Sequence, residues 1–265
     1  MEFIEILEMK MPVIGLGTWN LRGKECFEAT LSALEIGYRH IDTAEMYENE
    51  SEIGEAITQS LVPRDEIFLT TKVWSTHLQY QEVIRSLETS LKKLKTDYVD
   101  LLLIHWPNLN IPLSDTLRAM SYLKNMEMLK FIGVSNFNKD LLMKAQQMSS
   151  LPILNVQVEY HPFLDQKDIL SYCQKNNISL TAYCPLARGR ELNNPTLEKI
   201  ASKHKKTVPQ VMLRWLIQQK NVVAIPKAKS ADHQRLNFDI FDFQLSSDEM
   251  STIFQLNRNQ RLVKG

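Results

Sequence analysis

The chain is poor in cysteine, has no excess of either charge sign and carries no long apolar run. Its three cysteines, Cys26, Cys173 and Cys184, are odd in number, widely spaced and free of any Cys-x-x-Cys pair. That pattern excludes a disulfide framework and points to a reducing compartment, with the cytoplasm as the expected location. Basic and acidic residues number 31 each, with no block of one sign. The sequence therefore offers neither a nucleic-acid footprint nor a polybasic membrane contact. The opening residues, Met1 to Pro12, carry acids where a signal peptide needs positive charge and an uninterrupted apolar core. No apolar run approaches the roughly 20 residues of a membrane span.

Several catalytic signatures are also missing. Gly15-Leu-Gly-Thr-Trp-Asn lacks the third glycine of a Rossmann Gly-x-Gly-x-x-Gly turn. No tyrosine has a lysine four residues later, so the Tyr–Lys pair of a short-chain dehydrogenase helix is absent. His40, His77, His105, His161, His204 and His233 form no His-x-His or His-x₃-His pair, and no metal site is expected.

What the sequence does contain is a regular alternation. Short, β-branched apolar runs occur at Val13–Thr18, Tyr38–Asp42, Ile67–Val73, Val99–Trp106, Phe131–Ser135, Asn155–Tyr160, Ser179–Tyr183 and Val222–Pro226. Most are about 25 to 32 residues apart, the length of a βα unit. Leu101 to Ile104 is apolar at every position, as befits a parallel strand covered on both faces. The segments between have helical spacing, as in Val83, Leu87, Leu91 and Leu94. Thr207-Val-Pro-Gln210 and Ser246-Ser-Asp-Glu249 have capping-box form. Eight strands alternating with helices predict an α/β fold of one domain over residues 1–265, a parallel (β/α)₈ TIM barrel, in preference to an open doubly wound sheet. Residues 1–11 read as a small hairpin capping the barrel bottom.

A parallel barrel brings every strand's C-terminal end to one face, with neighbouring strands about 4.8 Å apart. Asp42, Lys72 and His105 close three consecutive strands and should converge there, with Tyr47 leaning over them from the second loop. An ammonium beside a phenol favours phenolate, so Lys72 is expected to lower the Tyr47 value from about 10. Asp42 would hold Lys72 and offset its buried charge, while His105 could hydrogen-bond a substrate oxygen. This set suits protonation of a developing alkoxide. Trp19, Trp74 and Trp106 each follow a strand closely and would wall an apolar cleft for a small carbonyl substrate.

These motifs resemble the aldo-keto reductase family across essentially the whole chain. The similarity rests on Gly15-Leu-Gly-Thr-Trp19, Asp42-Thr-Ala-Glu-Met-Tyr47-Glu-Asn-Glu50, Leu103-Ile-His-Trp-Pro107, Gly133-Val-Ser-Asn-Phe137, Asn155-Val-Gln157, Tyr183-Cys-Pro-Leu186 and Ile225-Pro-Lys227. The resemblance implies Asp42, Tyr47, Lys72 and His105 as a catalytic tetrad, with Tyr47 as general acid. It also implies an NADPH cofactor touched by Thr18 and Asp42. Ser135, Asn136 and Gln157 would hold the carboxamide, Tyr183 would stack on the ring, and Lys227 would meet the 2′-phosphate, with His233 and Asn237 on one helical face toward the adenosine.

The chain departs from the family where many members have Ser, Arg and Glu-Asn; here stand Ala228, His233 and Leu236-Asn237. A histidine is a weaker and pH-dependent phosphate partner than arginine, and Lys229 or Arg188 are the cations that could compensate. The short segment Leu186–Pro195 and the terminal Arg261-Leu-Val-Lys-Gly265 suggest an open pocket of relaxed selectivity. The chain resembles, in this compact form, the small bacterial members that reduce methylglyoxal or 2,5-diketo-D-gluconate, and a monomer is expected. The alternative reading is an NADPH-binding redox sensor on the same barrel with little turnover.

Overall fold

A computed structural model describes residues 1–263; Lys264 and Gly265, the end of the terminal phrase, lie outside the described residues. The chain opens with two strands, β1 (Phe3–Ile6) and β2 (Met9–Pro12), paired antiparallel from Phe3↔Pro12 to Ile6↔Met9. Their alternation is the reason for the hairpin: Ile4, Ile6, Met9 and Met11 are buried while Phe3, Glu5 and Lys10 face out. Met11 Sδ accepts from Asn155 Nδ2 at 4.0 Å, and that amide also donates to Ser179 Oγ (2.8 Å) and Thr181 Oγ1 (2.7 Å). Asn155 and Ser179 stand near the starts of their strands, so the hairpin closes the barrel bottom.

The barrel strands are β3 (Leu16–Gly17), β4 (His40–Asp42), β5 (Phe68–Val73), β6 (Val99–Ile104), β7 (Leu129–Ser135), β8 (Ile153–Glu159), β9 (Ser179–Tyr183) and β10 (Val222–Ala224). Each pairs parallel with the next in chain order. Closure comes from three backbone bonds between the first and last: Gly15 N to Ala224 O (2.9 Å), Ala224 N to Val13 O (2.9 Å) and Gly17 N to Pro226 O (3.1 Å). An open sheet is thereby excluded. Pro226 has no N–H with which to extend β10, which therefore stops at Ala224 and not at Pro226 as the sequence suggested. The sequence reading also started β7 and β8 two residues late, missing Leu129-Lys130 and Ile153-Leu154. Lys130 is the reason in the first case: its exposed stem breaks the apolar run while its backbone stays in the strand.

The helices among the described residues are α1 (Gly23–Ile36), α2 (Glu50–Gln59), α3 (Tyr80–Leu94), α4 (Leu113–Asn125), α5 (Lys139–Met148), α6 (Lys167–Lys175), α7 (Pro195–His204), α8 (Val208–Ile217), α9 (Ala231–Phe238) and α10 (Ser247–Phe254). None is long and apolar enough to cross a membrane. The expected inner stripe of α3 is real: Val83, Leu87, Leu91 and Leu94 are all buried. Both expected capping boxes form, on α8 through Thr207 and Gln210 and on α10 through Ser246 and Glu249. In β6 every position is buried, including Asp100, whose carboxylate is matched by Arg64 Nη1 at 3.0 Å and Lys130 Nζ at 2.9 Å.

Gly54 of α2 sits against the C-terminal turn of α3, where an added Cβ would lie 2.4 Å from Lys93 O and 2.7 Å from Leu94 Cα. Alanine favours a helix by about 1 kcal/mol over glycine, but overpacking against backbone costs roughly 1–3 kcal/mol and here has no flexible atom to yield. Gly54→Ala is therefore expected to lower the melting temperature by about 5 °C, as scanning calorimetry would show; a variant of equal or higher Tm would contradict the contact.

Candidate active site

Asp42 ends β4, and a three-residue 3₁₀ turn, Glu45–Tyr47, follows two residues later. Glu48 closes that turn with φ 51°, so the chain reverses at once and delivers Tyr47 back over the strand ends. Lys72, one residue from the end of β5, lies beside Asp42 in the pairing that sets Asp42 against Thr70. Its ammonium donates to Asp42 Oδ1 at 2.5 Å, to Thr43 O at 2.7 Å and to Tyr47 Oη at 3.3 Å, and it also lies 4.8 Å from the centre of the Tyr47 ring. His105, just past β6, presents its ring 5.5 Å from that of Tyr47 at 75°. The four residues thus converge, and all are buried.

Burial dominates the electrostatics. It raises the Asp42 carboxyl, against the pull of Lys72 and of Gln157, and it lowers the Lys72 ammonium, against the pull of Asp42. Burial, with the Lys72 charge second, takes the His105 imidazole down to about 2. His105 is therefore neutral through the physiological range, with one ring nitrogen a donor and the other an acceptor. Its Nδ1 is buried with no protein partner among the described residues.

Tyr47 corrects one expectation. The phenol is not lowered by Lys72: burial raises it well above its ordinary value, and the Asp42 carboxylate adds to the rise. The reason is burial: the phenolate would lose its water, and the Asp42 carboxylate beside it opposes a second negative charge.

The residues expected around a cofactor divide into two groups. Thr18 Oγ1 donates to Asp42 O at 2.9 Å, which binds the end of the first barrel strand to the second. Gln157 Nε2 donates to Asp42 Oδ2 at 2.7 Å, so this amide serves the ion pair directly. Asn136 uses its whole amide internally: Nδ2 donates to His105 O (2.9 Å) and Ser135 Oγ (3.0 Å), and Oδ1 accepts from Tyr183 Oη (2.7 Å). The Ser135 hydroxyl proton has no acceptor among the described residues, and the Tyr183 ring is pinned by its tip. This set fits a planar carboxamide-bearing ring: one free donor, a half-buried aromatic held in place, and Asn136 as the brace between them.

Lys227, His233 and Asn237 stand apart from that group, beyond β10 and on α9. Lys227 and His233 are exposed while Asn237 is buried. Lys227 has no ion-pair partner among the described residues, whereas Lys229, considered as a substitute cation, is taken by Glu25 at 2.9 Å. Around the mouth, Trp19 meets Tyr47 edge-on at 4.9 Å and Trp74 meets His105 edge-on at 5.1 Å; Trp106 is half-buried alongside.

Sequence reasoning missed Thr43 and Asn49. Thr43 offers its carbonyl to Lys72 and its hydroxyl to Asn49 Oδ1 at 2.8 Å. Asn49, buried, donates to Thr18 O (2.9 Å) and Leu21 O (3.1 Å), which ties the first loop to the second. Both stood inside the quoted motif from Asp42 to Glu50, but nothing in their spacing distinguishes a structural amide from a solvent-facing one.

Comparison with known proteins agrees with this geometry. Residues 13–258 match the family model described as Aldo/keto reductase family. Glyoxal reductase of Bacillus subtilis is 41% identical over 255 residues, covering 96% of this chain and 92% of that protein. Methylglyoxal reductase DkgB of Yersinia pestis is 38% identical over 258 residues, covering 96% of each. Among solved structures, a provisionally assigned 2,5-diketo-D-gluconic acid reductase B superposes with a TM-score of 0.94 at 42% identity, covering 96% of this chain and 91% of that one. The chain belongs to the aldo-keto reductase family. It is thus an oxidoreductase of carbonyl and alcohol groups, in a family that works with a nicotinamide cofactor.

Asp42→Asn keeps the shape of the site but leaves Lys72 buried without a counter-charge. The expected loss is about 3 kcal/mol of unfolding free energy at pH 7. The folded variant would release the Lys72 proton well below the value of about 10.4 for an unfolded lysine, so its stability rises with pH toward 10 and the deficit narrows. Urea unfolding of both proteins at pH 7 and pH 9 would check this, and a constant deficit would argue against a charged Lys72.

Proposed function

We propose that this chain reduces small aldehydes and ketones, among them 2-oxoaldehydes and diketo-sugar acids, to alcohols with NADPH, acting as a monomer in the cytoplasm. The observation that carries the reading is the neutral, buried Tyr47 phenol 3.3 Å from the Lys72 ammonium, beside a neutral His105. The free thiols of Cys26, Cys173 and Cys184 support a reducing compartment.

NADPH, when bound, supplies the hydride. The protein's own part is to hold the carbonyl oxygen and give it a proton. His105 directs a ring N–H at that oxygen, and the edge-on Trp19 and Trp74 limit water around it. As charge develops on the oxygen, the Tyr47 phenol transfers its proton there. A raised phenol remains a competent donor because an alkoxide is far more basic than phenolate, and the rise keeps Tyr47 protonated until it is needed. The phenolate left behind faces Lys72, whose charge is held in place by Asp42 and Thr43 O. This arrangement is fixed before substrate arrives, so little reorganisation accompanies the step.

Ser135 and Tyr183 are suited to the nicotinamide end, with Asn136 bracing them. Lys227 is placed to meet the 2′-phosphate, and the absence of a carboxylate paired with it among the described residues supports NADPH over NADH.

Tyr47→Phe removes only the transferable proton. It is expected to cut NADPH-dependent reduction of methylglyoxal or 2,5-diketo-D-gluconate by about three orders of magnitude or more while leaving NADPH affinity within about two-fold. Tight NADPH binding by the native protein without turnover of any aldehyde would instead support the redox-sensing alternative.

Lys227→Ala should weaken NADPH binding at least ten-fold more than NADH binding, on the order of one charged hydrogen bond. Fluorescence titration of both cofactors decides it, and equal losses would remove Lys227 from the phosphate.

A further inference from the structure

We propose that Glu45 is a positioning residue that sets the Tyr47 phenol and the His105 ring in register with each other. The inference rests on the reading of Tyr47 as proton donor. Glu45 opens the 3₁₀ turn whose last residue is Tyr47. Its carboxylate reaches away from that turn to two other parts of the molecule. Oε1 accepts the backbone N–H of Trp74 and lies 3.1 Å from His77 Nδ1, both in the loop that follows Lys72. Oε2 accepts Ser86 Oγ of α3 at 2.6 Å. The Glu45 side chain is only 14% exposed, so these bonds are little diluted by water.

What the carboxylate joins is the functional pair. On one side is the turn that carries Tyr47, held by only two backbone bonds of its own, Tyr47 N to Ala44 O (3.0 Å) and Glu48 N to Glu45 O (3.1 Å). A single 3₁₀ turn has poor hydrogen-bond geometry and needs outside support. On the other side is Trp74, whose indole packs edge-on against His105 at 5.1 Å. The Tyr47 and His105 rings themselves sit 5.5 Å apart, so the carboxylate links both through backbone while touching neither. Without it the Trp74 N–H loses its acceptor and the turn loses one of its ties to this loop. A displacement of about 1 Å at reacting atoms can cost on the order of a hundred-fold in rate; partial loss of one staple should cost less.

The test compares Glu45→Ala, Glu45→Gln and Ser86→Ala with the native enzyme in NADPH-dependent methylglyoxal reduction. The readouts are kcat, the NADPH dissociation constant, Tm, and the primary isotope effect on kcat with cofactor deuterated at the transferred hydrogen. Glu45→Ala is expected to lower kcat about ten-fold, with NADPH affinity within about two-fold and a larger isotope effect as chemistry becomes rate-limiting. Glu45→Gln can still accept from Trp74 and donate to Ser86 Oγ, and should recover most of the rate. Should Glu45→Ala fail to fold, Ser86→Ala decides: it removes only the Oε2 bond and should lower kcat about three-fold. An unchanged kcat in the deciding variant overturns the proposal. So does a loss matched by weaker NADPH binding and lower Tm with no rescue by glutamine, which would make Glu45 a general structural staple. Tyr47→Phe, run alongside, separates the two ideas: retained turnover there sinks the proton-donor reading, whereas its loss together with an indifferent Glu45→Ala sinks this inference alone.

Discussion

A lysine ammonium buried at 1% exposure beside an aspartate carboxylate, 2.5 Å apart, is the interaction on which the rest of the site depends. Two such charges taken out of water cost several kcal/mol each unless their remaining hydrogen-bonding positions are filled. The barrel fills them from four places. Lys72 has Asp42 Oδ1, Thr43 O and the Tyr47 oxygen; Asp42 Oδ2 has Gln157 from the far side of the barrel, 115 residues along the chain. A closed parallel barrel is well suited to this because it aims the ends of non-adjacent strands at one point. The three bonds that join Val13, Gly15 and Gly17 to β10 are therefore part of the site's electrostatics, since an open sheet would let Asp42 and Gln157 part.

Burial then sorts the titratable groups around this ion pair, with the charges of the pair second. His40, two residues before Asp42 on β4, and His105, just past β6, are both buried; burial, with the Lys72 charge second, takes their values down to about 3 and about 2. Two neutral histidines thus flank one fixed cation, and neither competes with it for Asp42. Tyr47 experiences opposing effects. Burial and the Asp42 carboxylate keep its proton on, while the ammonium 3.3 Å away offers compensation only once the proton has gone. The site is thus stable with a neutral phenol and tolerant of a phenolate, a combination that a surface tyrosine beside a surface lysine could not provide, since water would screen both effects.

How far these features could be read in the sequence depended on whether the signal was periodic or relational. The unbroken run in β6, the three-four spacing of α3 and the two capping boxes are local patterns that burial or backbone geometry imposes directly, and each was legible. So was the placement of Asp42, Lys72 and His105 at strand ends, because a parallel strand's C-terminus can only face one way. The atom-to-atom partners were not. Nothing in the spacing shows that Gln157 donates to Asp42, that Asn136 joins His105, Ser135 and Tyr183, or that Lys229 pairs with Glu25. The direction of the Tyr47 shift was misjudged because it depends first on how deeply the phenol is buried and then on the carboxylate beside it, and no spacing rule carries either.

The two ends of the site differ in a way that follows from this burial. At the chemical end every charge is desolvated and paired, so each substitution there disturbs a low-dielectric network and is felt by all its members. At the far end Lys227 and His233 stand exposed to water on the rim, where interactions between charges are weak and fade beyond roughly 8–10 Å at ordinary ionic strength. Asn237, by contrast, is drawn into the core, and a neutral amide cannot distinguish a phosphate from a hydroxyl by charge. On the function proposed above, the barrel would fix the proton chemistry rigidly and leave the distinction between phosphorylated and unphosphorylated cofactor to exposed cations such as Lys227. A change of one exposed residue can adjust that distinction without disturbing the ion pair at the centre.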